Sequence, residues 1–346
     1  MKRLLLPFLL LAATANAAEL YDERADVRAF VAEMAERNGF DPDVLLAHFR
    51  KVHYSPPVIK AIMPPTSPGV RSWQAYRTRF VEPARIAHGL EFWHRHDATL
   101  ARAEAIYGVP AEIIVAIIGV ETIYGRHMGR FDVFNALSNL AFDYPPRAEL
   151  FRQELEALLL LARDEQCSPW QFRGSYAGAI GLPQFLPSSV RNYAVDFDGD
   201  GHIDLTHSVD DAIGSVGRFL NEHGWATGEA IVWPAKVRGD GTPSLLAEGI
   251  APNRLPENMI EFGVEAEGAP EKPAALIDLT TPDAPTEYRL GFNNFYVLTR
   301  YNRSTFYAAA VTDLAETLRG ARPQAQPAET ARLEINSAAD PGTAPR

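Results

Sequence analysis

Ile113-Ile114-Val115-Ala116-Ile117-Ile118-Gly119-Val120 runs without a polar side chain into Glu121-Thr122-Ile123-Tyr124-Gly125-Arg126. Pro110 opens this apolar helix, and Gly108 stops the segment before it. A carboxylate lodged against that much hydrocarbon has its charged form disfavoured, so its pKa rises toward the range of a general acid. Local physics leaves a second reading open, in which Glu121 is a helix-terminal residue paired with Arg126 or another base.

Most of the chain around this stretch also reads as helix. Val27, Phe30, Val31, Met34 and Ala35 fall on one helical stripe that Gly39 ends, and Asp41-Pro42 caps a second helix carrying Val44, Leu45 and Phe49. Beyond the crossing Pro64-Pro65-Thr66-Ser67-Pro68-Gly69, one helical face holds Trp73, Tyr76, Arg77 and Phe80. The pattern predicts one long helix from Ala84 to Tyr107 and amphipathic helices over 147–164, 188–193 and 209–222. After Trp225 short runs bounded by Gly, Pro and Asp predict strands at Ala230–Trp233, Ile260–Phe262, Ala275–Leu279 and Tyr288–Phe292. Helix returns at Ser304. The Pro- and Ala-rich tail over 321–346 has the composition of a disordered segment.

The N-terminus has the pattern of an export leader over 1–17: Lys2-Arg3, the apolar run Leu4 to Ala12, and the small-residue site Ala15-Asn16-Ala17. No later apolar run approaches the roughly 20 residues of a membrane-spanning helix. Cys167 is the single cysteine, so no internal disulfide can form, and no cysteine stands at the cleavage site to take a lipid. The 33 Lys and Arg face 44 Asp and Glu, a formal charge of −11 that grows more negative once Lys2 and Arg3 leave with the leader. Such a balance argues against a nucleic-acid partner. It leaves room for an acidic polymer gripped by shape, stacking and local arginines.

Two further segments carry chemistry. Asp196-Phe197-Asp198-Gly199-Asp200-Gly201-His202-Ile203-Asp204 matches the opening of an EF-hand calcium loop. Carboxylates stand at its first, third and fifth positions, with the turn glycine at the sixth and the His202 carbonyl at the seventh. His207 replaces the closing glutamate, so Asp210 or Asp211 must close the loop. The alternative is a solvated acidic turn. The segment Ser175-Tyr176-Ala177-Gly178-Ala179-Ile180-Gly181-Leu182-Pro183-Gln184 lets backbone approach a ligand closely while Ser175 and Gln184 offer directional hydrogen bonds. By spacing alone a helix-packing seam is the better reading of it.

Taken together these segments resemble the periplasmic lytic murein transglycosylases of the MltB type over nearly the whole mature chain. The resemblance rests on Gly119-Val120-Glu121-Thr122 with Gly125-Arg126, Asn135-Ala136-Leu137, Tyr144-Pro145 with Arg147-Ala148-Glu149, Ala162 to Gln166, Ser175 to Ser189, the acidic loop, Asp211 to Ser215, Asn294-Phe295-Tyr296 and Thr299 to Asn302. It implies a mainly α fold, with a goose-lysozyme-like core over 96–228 that contains the EF-hand-like loop 196–211. An N-terminal helical domain over 18–95, completed by a helix over 303–320, and a small antiparallel β domain over 229–302 would flank it.

It further implies that Glu121 is the single catalytic glutamate, and that Ser175, Gln184, Tyr76, Tyr301, Asn302 and Tyr307 line the sugar cleft or support that glutamate. Arg147 matches one of two arginines near the peptide-bearing part of the substrate; Pro146 stands where the other is expected. Phe219 occupies a tyrosine position, without the hydroxyl, and Pro183 replaces the small residue expected before Gln184. The metal ligands implied are Asp196, Asp198, Asp200, His202 and Asp211, holding a structural calcium, with no organic cofactor. The implied partner is the glycan strand of peptidoglycan, acted on by a monomer. One rival is a hydrolase in which Asp132 or Asp143 activates water. Another is a wall-binding module without activity.

Overall fold

The computed structural model describes residues 20–64 and 69–322. The expected leader over 1–17 lies outside them, as does all of the expected tail except Ala321 and Arg322.

Helix α1 (Ala25–Asn38) buries Val27, Phe30, Val31 and Met34 and stops at Gly39, whose φ of 69° is the left-handed cap a glycine tolerates. Asp41 then accepts hydrogen bonds from the amides of Asp43 and Val44, capping α2 (Pro42–Phe49) with proline at its first position. Helix α3 (Pro56–Ile62) follows, and Asn135 and Asn139 reach across to the chain just before it, bonding His53 and Ser55. Helix α4 (Trp73–Phe80) is capped by Ser72.

The long helix expected from Ala84 to Tyr107 is instead two: α5 (Pro83–Arg95) and α6 (Asp97–Tyr107). His96, at φ −114° and ψ 25°, breaks the ladder between them. The two halves share the apolar helix but differ in their other neighbour, α5 packing on the C-terminal helix and α6 on the helix over Val209–Glu222. A periodic sequence does not record such a turn, because both halves keep helical spacing.

Helix α7 (Ala111–Thr122) is the centre of the molecule. Every residue from Ile113 to Val120 is buried, which is why the segment lacks a polar face. Around it lie α5, α6, α11 (Val209–Glu222) and α14 (Thr305–Ala321). To one side α8 (Val133–Asp143) and α9 (Ala148–Asp164) form an antiparallel pair onto which α10 (Pro187–Tyr193) packs. A two-stranded ribbon, β1 (Phe131–Asp132) with β2 (Arg173–Gly174), ties the start of α8 to the Gly/Ala segment.

The remaining strands form one antiparallel sheet in the order β4-β3-β6-β5: β3 (Val232–Val237), β4 (Val264–Glu265), β5 (Ala275–Leu279) and β6 (Glu287–Gly291). The strand expected at Ile260–Phe262 is the end of a 3-10 turn, Pro256–Phe262, opened by proline and closed by left-handed Gly263; pairing starts only at Val264. Leu245 of α12 (Thr242–Ala247), Met259, Val264, Leu276, Leu290 and Phe292 give this region its own small core. Helix α13 (Asn293–Tyr301), not anticipated from sequence, leads directly into α14, which Ser304 caps. A single larger core joins α1 through α11 to α13 and α14.

Candidate active site

Glu121 lies in the last turn of α7, where the helix meets the Gly/Ala segment. The neighbouring Thr122 fixes that meeting: its hydroxyl donates to the Leu182 carbonyl at 2.9 Å and accepts the Gly125 amide at 3.0 Å. Ile123 and Tyr124 then turn the chain in left-handed conformations, with φ of 51° and 57°.

Among the described residues, one group bonds the carboxylate directly. Tyr307, in the first turn of α14, donates its phenol to Glu121 Oε1 at 2.7 Å. The surrounding protein pushes the Glu121 pKa up from 4.5 to about 7, against the opposing pull of that hydrogen bond. The Tyr301 ring lies parallel to Tyr307, 6.3 Å between centroids, and its hydroxyl donates to the Pro183 carbonyl at 2.6 Å. Burial and the nearby Glu121 charge hold both phenols well above their ordinary pKa, and the same two causes raise Tyr76. The result is one carboxyl in an aromatic wall, neutral or charged with little bias near pH 7.

The other expected residues fall into two groups. Gln184 takes a left-handed φ of 52° and uses its side-chain amide to hold the Met128 and Gly181 carbonyls, so it shapes the loop beside Tyr301. Ser175 accepts the amides of Ala177 and Ala179 and folds the same loop at its other end. Phe219 is buried, with Tyr301 packed against its edge at 4.9 Å. Asn302 is exposed at the end of α13. Arg147 is exposed too, its guanidinium over the Phe151 ring, and it makes no contact with the Glu121 group.

The competing readings of Glu121 find no support in the contacts. Arg126 turns to His88 Nδ1 at 3.2 Å rather than to Glu121. Asp132 caps α8 and pairs with Arg173 at 2.8 Å. Asp143 is held by Arg24 at 2.6 Å and by the Tyr21 hydroxyl. Thr122 and Pro183 were noted in the sequence, but not the hydrogen bonds they make beside Glu121 and Tyr301. Thr122 carried a signal in standing next to Glu121; Pro183 acts through its carbonyl, which side-chain identity does not reveal.

In the acidic loop, Asp196, Asp198 and Asp211 each place a carboxylate oxygen within 4.8 Å of the others. Asp211 comes from α11, is only 1% exposed, and also accepts the amides of Phe197 and Asp204 at 2.7 and 2.8 Å. Asp210 faces away and accepts the Thr99 hydroxyl at 2.8 Å. Asp200 and His202 stand outside the three-carboxylate group; the Asp200 side chain accepts the His202 amide. An all-oxygen donor set of this kind fits a hard divalent cation.

Residues 22–316 match the family described as the Transglycosylase SLT domain. The chain belongs to this SLT transglycosylase family. It is 39% identical over 320 residues to membrane-bound lytic murein transglycosylase B of Escherichia coli strain K12, covering 86% of this chain and 84% of that one. Among solved structures it resembles the catenated lytic transglycosylase SltB1 of Pseudomonas aeruginosa, with 46% identity, a TM-score of 0.83, and coverage of 88% of this chain and all of the other. The Escherichia coli lytic transglycosylase Slt35 in complex with calcium is similar at 39% identity and a TM-score of 0.75, covering 85% and 93%. The mainly helical, lysozyme-like fold expected from the motifs is therefore that of the SLT transglycosylases.

Proposed function

We infer that this chain is a lytic transglycosylase of peptidoglycan. It cleaves the β-1,4 bond between N-acetylmuramic acid and N-acetylglucosamine and leaves 1,6-anhydromuramic ends. Within the family, the observation that carries this reading is the Glu121 carboxyl, its pKa raised to about 7 and bonded by Tyr307, with no second carboxylate among its contacts with the described residues. Ordinary glycosidases flank the bond with two carboxylates. A site with one needs its nucleophile from the substrate.

Protonated Glu121 donates to the glycosidic oxygen as the C1–O bond breaks, releasing the N-acetylglucosamine hydroxyl. The substrate's own N-acetyl carbonyl shields the developing oxocarbenium ion. Glu121, now anionic, takes the proton of the muramic C6 hydroxyl as that oxygen attacks C1, which regenerates the acid without consuming water. A nucleophile already attached to the reacting sugar avoids the entropic cost of positioning water. General acid and base help from one residue is worth about 10² to 10⁴ in rate, and a pKa near 7 suits a group that must do both.

Tyr76, Tyr301 and Tyr307 form the aromatic wall for the sugars, with Ser175, Gln184 and Asn302 offering polar contacts and Phe219 backing Tyr301. Arg147, far along the chain from this wall, is the residue for the peptide-bearing part of the strand. Calcium held by Asp196, Asp198 and Asp211, with Asp200 and the His202 carbonyl completing the loop, is structural, joining α10 to α11. The protein works as an exported periplasmic monomer on glycan strands. Mass spectrometry of muropeptides released from purified sacculi tests the reaction: anhydro products are expected, and products heavier by one water would establish hydrolysis instead.

A further inference from the structure

The turn after Glu121 is built against the preferences of its residues. Left-handed backbone suits glycine, and for a β-branched residue such as Ile123 it is an outlier; yet Ile123, Tyr124 and Gly125 take φ of 51°, 57° and 86° in succession. Strain of this kind persists only where the surroundings over-determine it.

What holds it is a wedge. The Tyr124 ring enters a notch between Gly119 of α7 and Gly89 of α5, and a Cβ on either glycine would collide with the Tyr124 hydroxyl. Phe92 packs on the ring at 5.3 Å. Beside it Arg85, 6% exposed, donates to the Gly119 carbonyl and lies over the Phe80 ring at 5.2 Å. Two glycines, a buried arginine and two aromatic rings thus fix the last turn of the helix that carries Glu121. The Tyr124 hydroxyl is buried and bonds no group among the described residues, so the residue acts by its shape.

We propose that Tyr124 is a positioning residue, its ring locked between Gly89 and Gly119 so that the strained turn aims the Glu121 carboxyl at Tyr307 and the cleft. The inference rests on Glu121 as the acid and base of the reaction. It requires a rate effect at nearly constant binding, because Tyr124 acts on the geometry of the carboxyl and not on the sugar.

Tyr124→Ala empties the notch and is expected to lower kcat by about tenfold to a hundredfold, the scale of a misplacement near 1 Å, while KM changes by less than about twofold. With the carboxyl freer to meet water, the alkaline limb of the pH profile should move to lower pH. Tyr124→Phe keeps the ring and should restore the rate and the limb. Ile123→Gly relaxes the backbone without opening a cavity; it should keep or raise the melting temperature and still lower kcat. Full kcat in Ile123→Gly, or a Tyr124→Ala protein that loses thermal stability but keeps kcat and the pH profile, would overturn the proposal. Wild-type products judge the underlying reading separately: if they carry no anhydro ends, transglycosylation fails, and the variant rates still decide the wedge on whatever cleavage remains.

Discussion

Tyr307 donates its phenolic hydrogen to Glu121 Oε1 at 2.7 Å across 186 residues of sequence. The hydroxyl stabilises the carboxylate while the surrounding protein destabilises it, and the two opposing effects leave the group at about pH 7. In the proposed mechanism one residue first gives and then takes a proton, and such a balance serves both steps.

Removing the hydroxyl should tip it. In Tyr307→Phe the carboxylate loses its donor, so the Glu121 pKa rises further and the alkaline limb of the kcat profile moves above its wild-type position. The carboxyl becomes a weaker acid, the anion released in the acid step loses its donor, and kcat should fall by about tenfold, the worth of one charge-assisted hydrogen bond. A pH series of muropeptide release checks both. A limb that moves to lower pH would show that the bond does not serve the anion.

The raised carboxyl also makes a stability prediction. Glu121 protonates near pH 7 folded and near 4.5 in an unfolded chain, so between those values the folded state holds more protons and stability falls as pH rises. The loss is on the order of 3 kcal/mol when complete. Glu121→Gln does not titrate. It should release no anhydro products, melt higher than the wild type at pH 8, and melt nearly level with it near pH 4. Thermal scans at the two pH values decide the matter, and an offset independent of pH would mean the carboxyl is not raised.

Calcium should raise the melting temperature and chelation lower it. A site filled at a hundred times its dissociation constant adds about 2.7 kcal/mol. Asp198→Asn removes one of the three clustered carboxylates and should abolish most of the calcium-dependent rise while leaving the melting temperature in chelator near wild type. An equal response in both proteins would place the ion elsewhere.

Gly181 is where the Gly/Ala segment meets the acidic loop. Its φ is 72°, a Cβ there would strike the Leu205 carbonyl, and the Leu182 amide donates to that same carbonyl at 2.8 Å. Gly181→Ala should therefore cost at least about 2 kcal/mol in denaturant unfolding, the sum of a strained left-handed residue and a backbone displacement. An unchanged midpoint would mean that the loop relaxes freely.

Much of this molecule was legible in its sequence because local signals and tertiary structure agree. The stripe of α1, the Gly39 and Asp41 caps, and the helix over 209–222 needed only periodicity and cap chemistry. Glu121 stood out because an apolar helix ending in a carboxylate is a local fact, and the nearness of Asp196 and Asp198 follows from the spacing of a tight loop. The sequence motifs also carried the family.

Other features were decided only when the chain folded. The break at His96 depends on α5 and α6 finding different partners, and the turn at 256–262 on Gly263 admitting a left-handed end. The choice of Asp211 over Asp210 turns on which face of α11 meets the loop. Above all, the sequence determined that Glu121 would stand against hydrocarbon and be hard to ionise. That its hydrogen-bond donor is Tyr307, that Asp132 and Asp143 are bound elsewhere, and that Tyr124 sits between two glycines on separate helices are contacts distant in sequence. Only packing around α7 could make them.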